Sequence, residues 1–180
     1  AEQFCYEVIE GCQDLVGIVK PQIAFFEQFG SFGFAALERV LLRANQLGLI
    51  VIADAKRGDI GSTMDGYARA WLSSDGPFLA DAVTCSPFLG PESLVETISF
   101  ALRNRKGLFL LAATSNSEAT ALQSAIGSNR DSVAGSITSF ASGFNAQPLG
   151  SVGVVIGAKT NLSKMGINAS ELAHTPILAP

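Results

Sequence analysis

Leu49-Ile50-Val51-Ile52-Ala53-Asp54-Ala55-Lys56-Arg57-Gly58-Asp59-Ile60-Gly61-Ser62-Thr63 changes character twice along its length. It opens as an apolar, β-branched run, which is what a strand buried on both faces requires. It becomes charged from Asp54 onward, then small and polar from Gly58, as a loop that leads into a helix does. Side chains alternate along a strand, so Asp54 and Lys56 are expected on one side and Arg57 on the other.

Five further apolar runs share the first half of that pattern: Gly17-Ile18-Val19-Lys20, Ala82-Val83-Thr84-Cys85, Leu108-Phe109-Leu110-Leu111-Ala112-Ala113, Val152-Gly153-Val154-Val155-Ile156-Gly157 and Pro176-Ile177-Leu178-Ala179. Helical spacing lies between them. Phe34, Leu37, Leu41, Ala44 and Leu47 recur at helical intervals, with Ser31 as the expected N-cap and Gly48 as the C′ stop. A second helix is expected from Pro91, at its first position, through Leu94, Ile98, Ala101 and Leu102 to a stop at Gly107. Ser117 to Ile126 and Ser132 to Phe144 read as helix, as does Ala1 to Asp14 with Phe4, Val8 and Cys12 on one face. Asn145 to Gly150 reads as an ordinary connecting loop.

Strands alternating with helices at this rhythm predict a parallel sheet with right-handed crossovers, in one α/β domain over residues 1–180. An open doubly wound sheet and a closed (β/α)8 TIM barrel both satisfy the pattern. A complete barrel has about 250 residues. Six strand units in 180 residues would leave its first and eighth strands outside this sequence.

Composition narrows the function classes. A hydrophobic fraction of 48% against 16% charged residues argues for a packed core rather than disorder. No run is long enough to span a membrane, and the N-terminus lacks a signal-peptide pattern, so a cytoplasmic protein is expected. The net charge of −4, without a basic stripe, speaks against nucleic-acid binding. Cys5, Cys12 and Cys85 form no CxxC pair, and His174 is the only histidine, so no metal site is expected.

The chemistry concentrates at Asp54, Lys56 and Asp59, with Lys20 closing the preceding strand. Barrels place catalytic groups at the C-terminal ends of their strands. Lysines beside aspartates keep both partners charged. A fixed carboxylate would repel a substrate carboxylate, and a neighbouring ammonium would stabilise the carbanion left by departing CO2 and then protonate it. The same residues also suit a solvated, salt-bridged loop. The small residues Gly58, Gly61, Ser62 and Thr63, opening a helix, suit phosphate or ribose contact.

The string Asp54 to Thr63 resembles the signature of the orotidine 5′-monophosphate decarboxylase family. Val19-Lys20-Pro21-Gln22 with Phe25-Phe26-Glu27 resembles the second strand of its bacterial branch. Thr84 to Gly90 resembles the fourth strand and its turn, Ala113 to Asn116 the end of the fifth, and Leu178-Ala179-Pro180 the start of the seventh-strand phosphate loop. The resemblance implies a cofactor-free carboxy-lyase of pyrimidine biosynthesis that converts orotidine 5′-monophosphate to uridine 5′-monophosphate. It implies Lys56 as proton donor to C6, Asp54 against the leaving carboxylate, Lys20 bridging Asp54 and the ribose, and Ser115 on the pyrimidine, with Pro180 opening the phosphate loop. It also implies a homodimer with shared active sites, in which Asp59, Ile60 and Thr63 reach the partner's site. A ribose-binding aspartate, a glutamine and a phosphate-binding arginine would lie outside this sequence.

Other residues attract structural readings. Arg57 is expected to point away from the site, Cys85 to be a buried thiol, Lys159 a loop lysine, and Tyr67 with Trp71 a helix-packing pair. Two alternative functions stand beside the decarboxylase. One is a Mg²⁺-dependent sugar-phosphate decarboxylase or aldolase of the same barrel suprafamily, such as a hexulose-phosphate synthase. Its metal-binding glutamate would stand where Lys20 does, and an ammonium there repels the cation. The other is a non-catalytic, phosphate-ligand-binding barrel that uses the charges for stability.

Overall fold

The computed structural model describes residues 2–146 and 149–180; Ala1, Gln147 and Pro148, which the helix and loop readings included, lie outside the described residues. Six parallel strands form one sheet in sequential order: β1 (Ile18–Val19), β2 (Ile50–Arg57), β3 (Ala82–Cys85), β4 (Gly107–Ala113), β5 (Val152–Ile156) and β6 (Ile177–Leu178). A doubly wound sheet reverses its strand order at a switch point. Here every crossover steps to the next strand in the same direction, so the helices collect on one face and the sheet curls as barrel staves do.

The helices are α1 (Glu2–Cys12), α2 (Ala24–Glu27), α3 (Gly30–Gln46), α4 (Gly61–Leu72), α5 (Val95–Arg103), α6 (Thr120–Gln123) and α7 (Val133–Ser142). The main core lies between them and the outer face of the sheet. Leu37 and Leu41 of α3, Leu72 of α4, and Leu94 with Ile98 meet Val51, Leu108, Leu110, Val152 and Val154 of the strands, all fully buried. Each such side chain contributes about 1.5–3 kcal/mol by leaving water. Trp71 stacks on Phe78 at 4.3 Å between ring centroids, and Phe34 meets the same ring at 5.7 Å, which joins α3, α4 and the approach to β3. At the N-terminal end of the sheet, Asp81 accepts from Lys106 Nζ at 2.9 Å and from the Val51 amide at 2.9 Å, tying β2 to the start of β4.

Several local expectations are corrected. Ser31 lies inside α3 rather than capping it; the helix starts at Gly30 from Phe29, with no side-chain cap. Gly48 does take the left-handed backbone, with φ +73°, just beyond that helix. The helix from Pro91 is split into a 3₁₀ turn, Pro91–Leu94, and α5, which ends at the Asn104 cap. Its left-handed terminus is Arg105, φ +57°, whereas Gly107 already begins β4. Gly107 is needed there because a Cβ would stand 2.6 Å from the Ser151 carbonyl oxygen. The stretch expected as helix from Ser117 to Ile126 holds only a 3₁₀ turn and the four residues of α6. Ser132 caps α7, accepting from the Gly135 amide at 2.8 Å. On α1 the buried residue is Ile9, while Phe4 and Val8 stay exposed beside an open groove that Val19 and Val40 also line. Two short segments had no counterpart in the sequence reading: α2, and a 3₁₀ turn at Ala169–Leu172.

Candidate functional site

Lys20 follows β1 directly, and the chain then turns through Pro21, Gln22 and Ile23 into α2. That turn is stitched to β2 by backbone hydrogen bonds, Asp54 N to Pro21 O at 3.0 Å and Ile23 N to Asp54 O at 3.3 Å. The stitching brings Lys20 Nζ to 2.7 Å from Asp54 Oδ2. Gln22 Nε2 donates to the same oxygen at 3.2 Å.

β2 runs three residues past the expected strand end at Asp54, and its pairing with β3 shifts register between Ala53 and Arg57. Lys56 sits within that irregularity with φ +49°, a left-handed backbone that costs a non-glycine residue about 1–3 kcal/mol. Two contacts, one to β3 and one to the residue after it, hold the bend: Thr84 Oγ1 accepts from the Lys56 amide at 2.9 Å, and the Ser86 amide donates to Arg57 O at 2.7 Å. Gly58 permits the approach, because a Cβ there would collide with the Ser86 carbonyl oxygen. Lys56 Nζ returns to Asp54 Oδ1 at 2.6 Å, and Thr84 Oγ1 donates to that same oxygen at 3.0 Å.

Asp54 therefore receives four donors, two on each oxygen. Burial alone would push its carboxyl up; hydrogen bonds from Lys20, Lys56 and Thr84 outweigh that and hold it below the usual carboxylate range. The Asp54 side chain is 10% exposed, whereas Lys20 and Lys56 are 33% and 46% exposed. The carboxylate is thus the floor of the site and the ammonium groups its rim. Both carboxylate oxygens face cations, a donor set poorly suited to Mg²⁺. Among the described residues no group of three or more His, Cys, Asp and Glu side chains converges as metal ligands would.

The array lines a cavity of ≈ 260 Å³ together with Thr84, Ser115 and Pro180. This opens, across shared walls at Thr114, Ser115, Asn116 and Pro180, into a more polar cleft of ≈ 680 Å³ over the ends of β4, β5 and β6. Gly157 lets β5 press against β4 there: a Cβ would stand 2.9 Å from Ser115 Cα. Lys159 lines the outer cleft and is exposed. Of the sequence-derived site residues, the structure thus gathers Lys20, Asp54, Lys56, Ser115 and Pro180 around one hollow. It leaves three outside: Asp59 Oδ1 accepts from the Ile60 amide at 2.8 Å, Ile60 is 61% exposed, and Thr63 is exposed on the first turn of α4. The expectation that Asp59 joins the array is not met within one copy of the chain.

Arg57 points to the opposite side of the strand. Its guanidinium pairs with Glu27 of α2 and lies over the rings of Tyr67 and Trp71, 5.4 Å and 5.8 Å from their centroids. Cys85 is buried, and burial pushes its thiol up to about 12, far from a reactive thiolate. Two residues of the array, Gln22 and Thr84, stand outside the sequence-derived site set. Thr84 did leave a signal, as a hydroxyl inside an otherwise apolar strand run. Gln22 left none, because its contact depends on the turn that follows Lys20.

A family model described as orotidine 5′-phosphate decarboxylase / HUMPS family matches residues 2–175. The chain belongs to that family. The orotidine 5′-phosphate decarboxylase of Corynebacterium glutamicum is 46% identical to this family member over 161 residues, covering 87% of this chain and 58% of that protein. The enzyme of the same name from Streptomyces coelicolor is 44% identical over 184 residues, covering 99% of this chain and 64% of that one. The chain thus spans about three-fifths of the length of these curated relatives. Among solved structures, a Streptomyces avermitilis protein provisionally described as an orotidine 5′-phosphate decarboxylase superposes with a TM-score of 0.94 at 43% identity, over 99% of this chain and 62% of that one. Leishmania donovani OMP decarboxylase follows at 0.81 and 33% identity, over 99% and 68%. The curled sheet is accordingly part of the family's TIM barrel.

Proposed function

We propose that this chain carries the catalytic floor of an orotidine 5′-monophosphate decarboxylase, acting in pyrimidine biosynthesis. The observation that supports it best is Asp54 held ionised between the ammonium groups of Lys20 and Lys56 at the inner wall of the cavity. A pyrimidine seated near Ser115, with its ribose and phosphate toward the outer cleft, would bring its C6 carboxylate against Asp54. Like-charge repulsion raises the energy of that bound carboxylate. The C6–carboxylate bond breaks, CO2 leaves, and the electron pair stays on C6 beside the Lys56 ammonium. The Lys56 proton then moves to C6 to give uridine 5′-monophosphate, and solvent reprotonates the amine. No redox step is involved.

Asp59, Ile60 and Thr63 gain a role if a second copy of the chain presents its α4 entrance to this mouth, making the active unit a homodimer with shared sites. Among the described residues no helix is long and apolar enough to cross a membrane, which is compatible with the expected cytoplasmic setting. The decarboxylase is preferred over the Mg²⁺-dependent reading because Lys20 takes the carboxylate oxygen a metal would use.

The test is the fall in ultraviolet absorbance as purified full-length protein, stripped with EDTA, is given orotidine 5′-monophosphate. One uridine monophosphate per CO2 is expected. Activity that disappears on chelation and returns with Mg²⁺ contradicts the proposal. For the shared site, inactive Lys56→Ala and Asp59→Asn proteins are mixed and allowed to exchange subunits. One intact site per mixed dimer predicts recovery of about a quarter of wild-type activity, since random exchange makes half of all dimers mixed. No recovery despite demonstrated exchange would place Asp59 in its own subunit's site.

A further inference from the structure

The geometry points to Thr84 as the positioning residue that aims Lys56, through a ring of hydrogen bonds that leaves and returns to that one lysine. The Lys56 amide donates to Thr84 Oγ1 at 2.9 Å, Thr84 Oγ1 donates to Asp54 Oδ1 at 3.0 Å, and Lys56 Nζ donates to the same Oδ1 at 2.6 Å. A hydroxyl has one proton to give. With its lone pair engaged by the Lys56 amide, Thr84 directs that proton to Asp54. The carboxylate is then fixed in orientation as an acceptor, and the ammonium of Lys56 is fixed against it.

The ring has something to hold. Lys56 is one of only three non-glycine residues with positive φ among the described residues, and the other two, Arg105 and Arg130, lie away from the cavity. A left-handed backbone is strained at a lysine and persists only where its surroundings hold it, and the Thr84 hydroxyl holds the Lys56 amide. Thr84 is 1% exposed, so no water replaces its contacts. The groups facing Asp54 are Lys20 after β1, Lys56 on β2, neutral Gln22 and, from β3, Thr84 alone; the cavity walls from β4 to β6 carry no charge. Removing the hydroxyl leaves Asp54 with one donor fewer in a buried site and the Lys56 amide unpaired.

The activity readout rests on the decarboxylase reading; a second readout does not. In full-length protein, Thr84→Val keeps the shape and deletes the hydroxyl, while Thr84→Ser keeps the hydroxyl. Thr84→Val is expected to lower kcat about 10- to 100-fold, the scale of stranding one buried polar group, with KM within about threefold. The acid limb of its kcat/KM profile should move to higher pH, because Asp54 loses a donor to its charged form. Thr84→Ser should recover most of kcat and the wild-type pH profile. Independently of activity, exchange of the Lys56 amide hydrogen should accelerate in Thr84→Val and stay slow in Thr84→Ser. If Thr84→Val fails to fold, Thr84→Ala, which adds no bulk, supplies the same measurements. An active wild type with Thr84→Val within threefold of it overturns the inference and leaves the decarboxylase reading standing. Unchanged Lys56 amide exchange overturns it whether or not the wild type is active.

Discussion

Replacing Lys56 by alanine should reduce kcat/KM for orotidine 5′-monophosphate by more than about 10³-fold, with affinity for uridine monophosphate held within about tenfold. General-acid groups contribute about 10²–10⁴-fold, and in the proposed mechanism Lys56 would also supply the positive charge facing the developing carbanion, so the two effects would fall together. Binding should survive because the outer cleft is built by β4 to β6, whose walls the substitution leaves untouched. Folding should survive as well. The Lys56 side chain is 46% exposed, and its bond to Asp54 is one of four that the carboxylate accepts. Absorbance kinetics and product-binding titration on one preparation separate the two quantities.

Asp54→Asn should also cost more than about 10³-fold in turnover, for a different reason. The amide is uncharged, so it cannot destabilise a carboxylate placed against it. Its NH2 must also face donors on at least one side, since both Asp54 oxygens now accept from two groups each. Lys20 and Lys56 would lose the anion between them. Their exposure of 33% and 46% lets water screen much of that repulsion, so the stability loss should be modest beside the loss of activity. The pH behaviour follows from the same carboxylate. Its folded pKa lies below the unfolded value of about 3.9, so its stabilising contribution is complete above that pH and disappears as pH falls through the folded value. Wild-type stability should therefore lose more as pH falls below about 4 than that of Asp54→Asn, as measured by denaturant unfolding across an acid pH series.

The sequence showed the strands well because apolar, β-branched runs are a local property. β3 matches its run residue for residue, and β5 differs only at the terminal Gly157. Helix ends were less legible. Arg105 takes the left-handed turn that glycine was expected to supply, and Ser31 is passed over because α3 starts at Gly30, with its N-cap at Phe29, two residues before Ser31. Both choices depend on how α3 and α5 pack rather than on the local residue. Barrel against open sheet was undecidable from period alone; the sequential strand order settles the direction of winding.

The same division runs through the site. Asp54 and Lys56 are two residues apart, and their shared direction was readable. The route to it was not: alternation in a regular strand gave the expected answer, whereas the chain reaches it through a register shift and a left-handed Lys56. Thr84 and Gln22 meet Asp54 across separations of 30 and 32 residues, which no local spacing encodes. Arg57 went to the opposite side of the strand as alternation required, but its seat between Glu27 and two aromatic rings needed α2, which the sequence reading lacked.

The most direct measurement is a crystal structure of the full-length protein with uridine monophosphate bound. Lys56 Nζ should lie within hydrogen-bonding reach of C6, about 3 Å, with the Asp54 carboxylate beside the space the departed CO2 would fill. A nucleotide bound with its base away from this cavity, or with C6 turned from Lys56 and Asp54, would contradict the account.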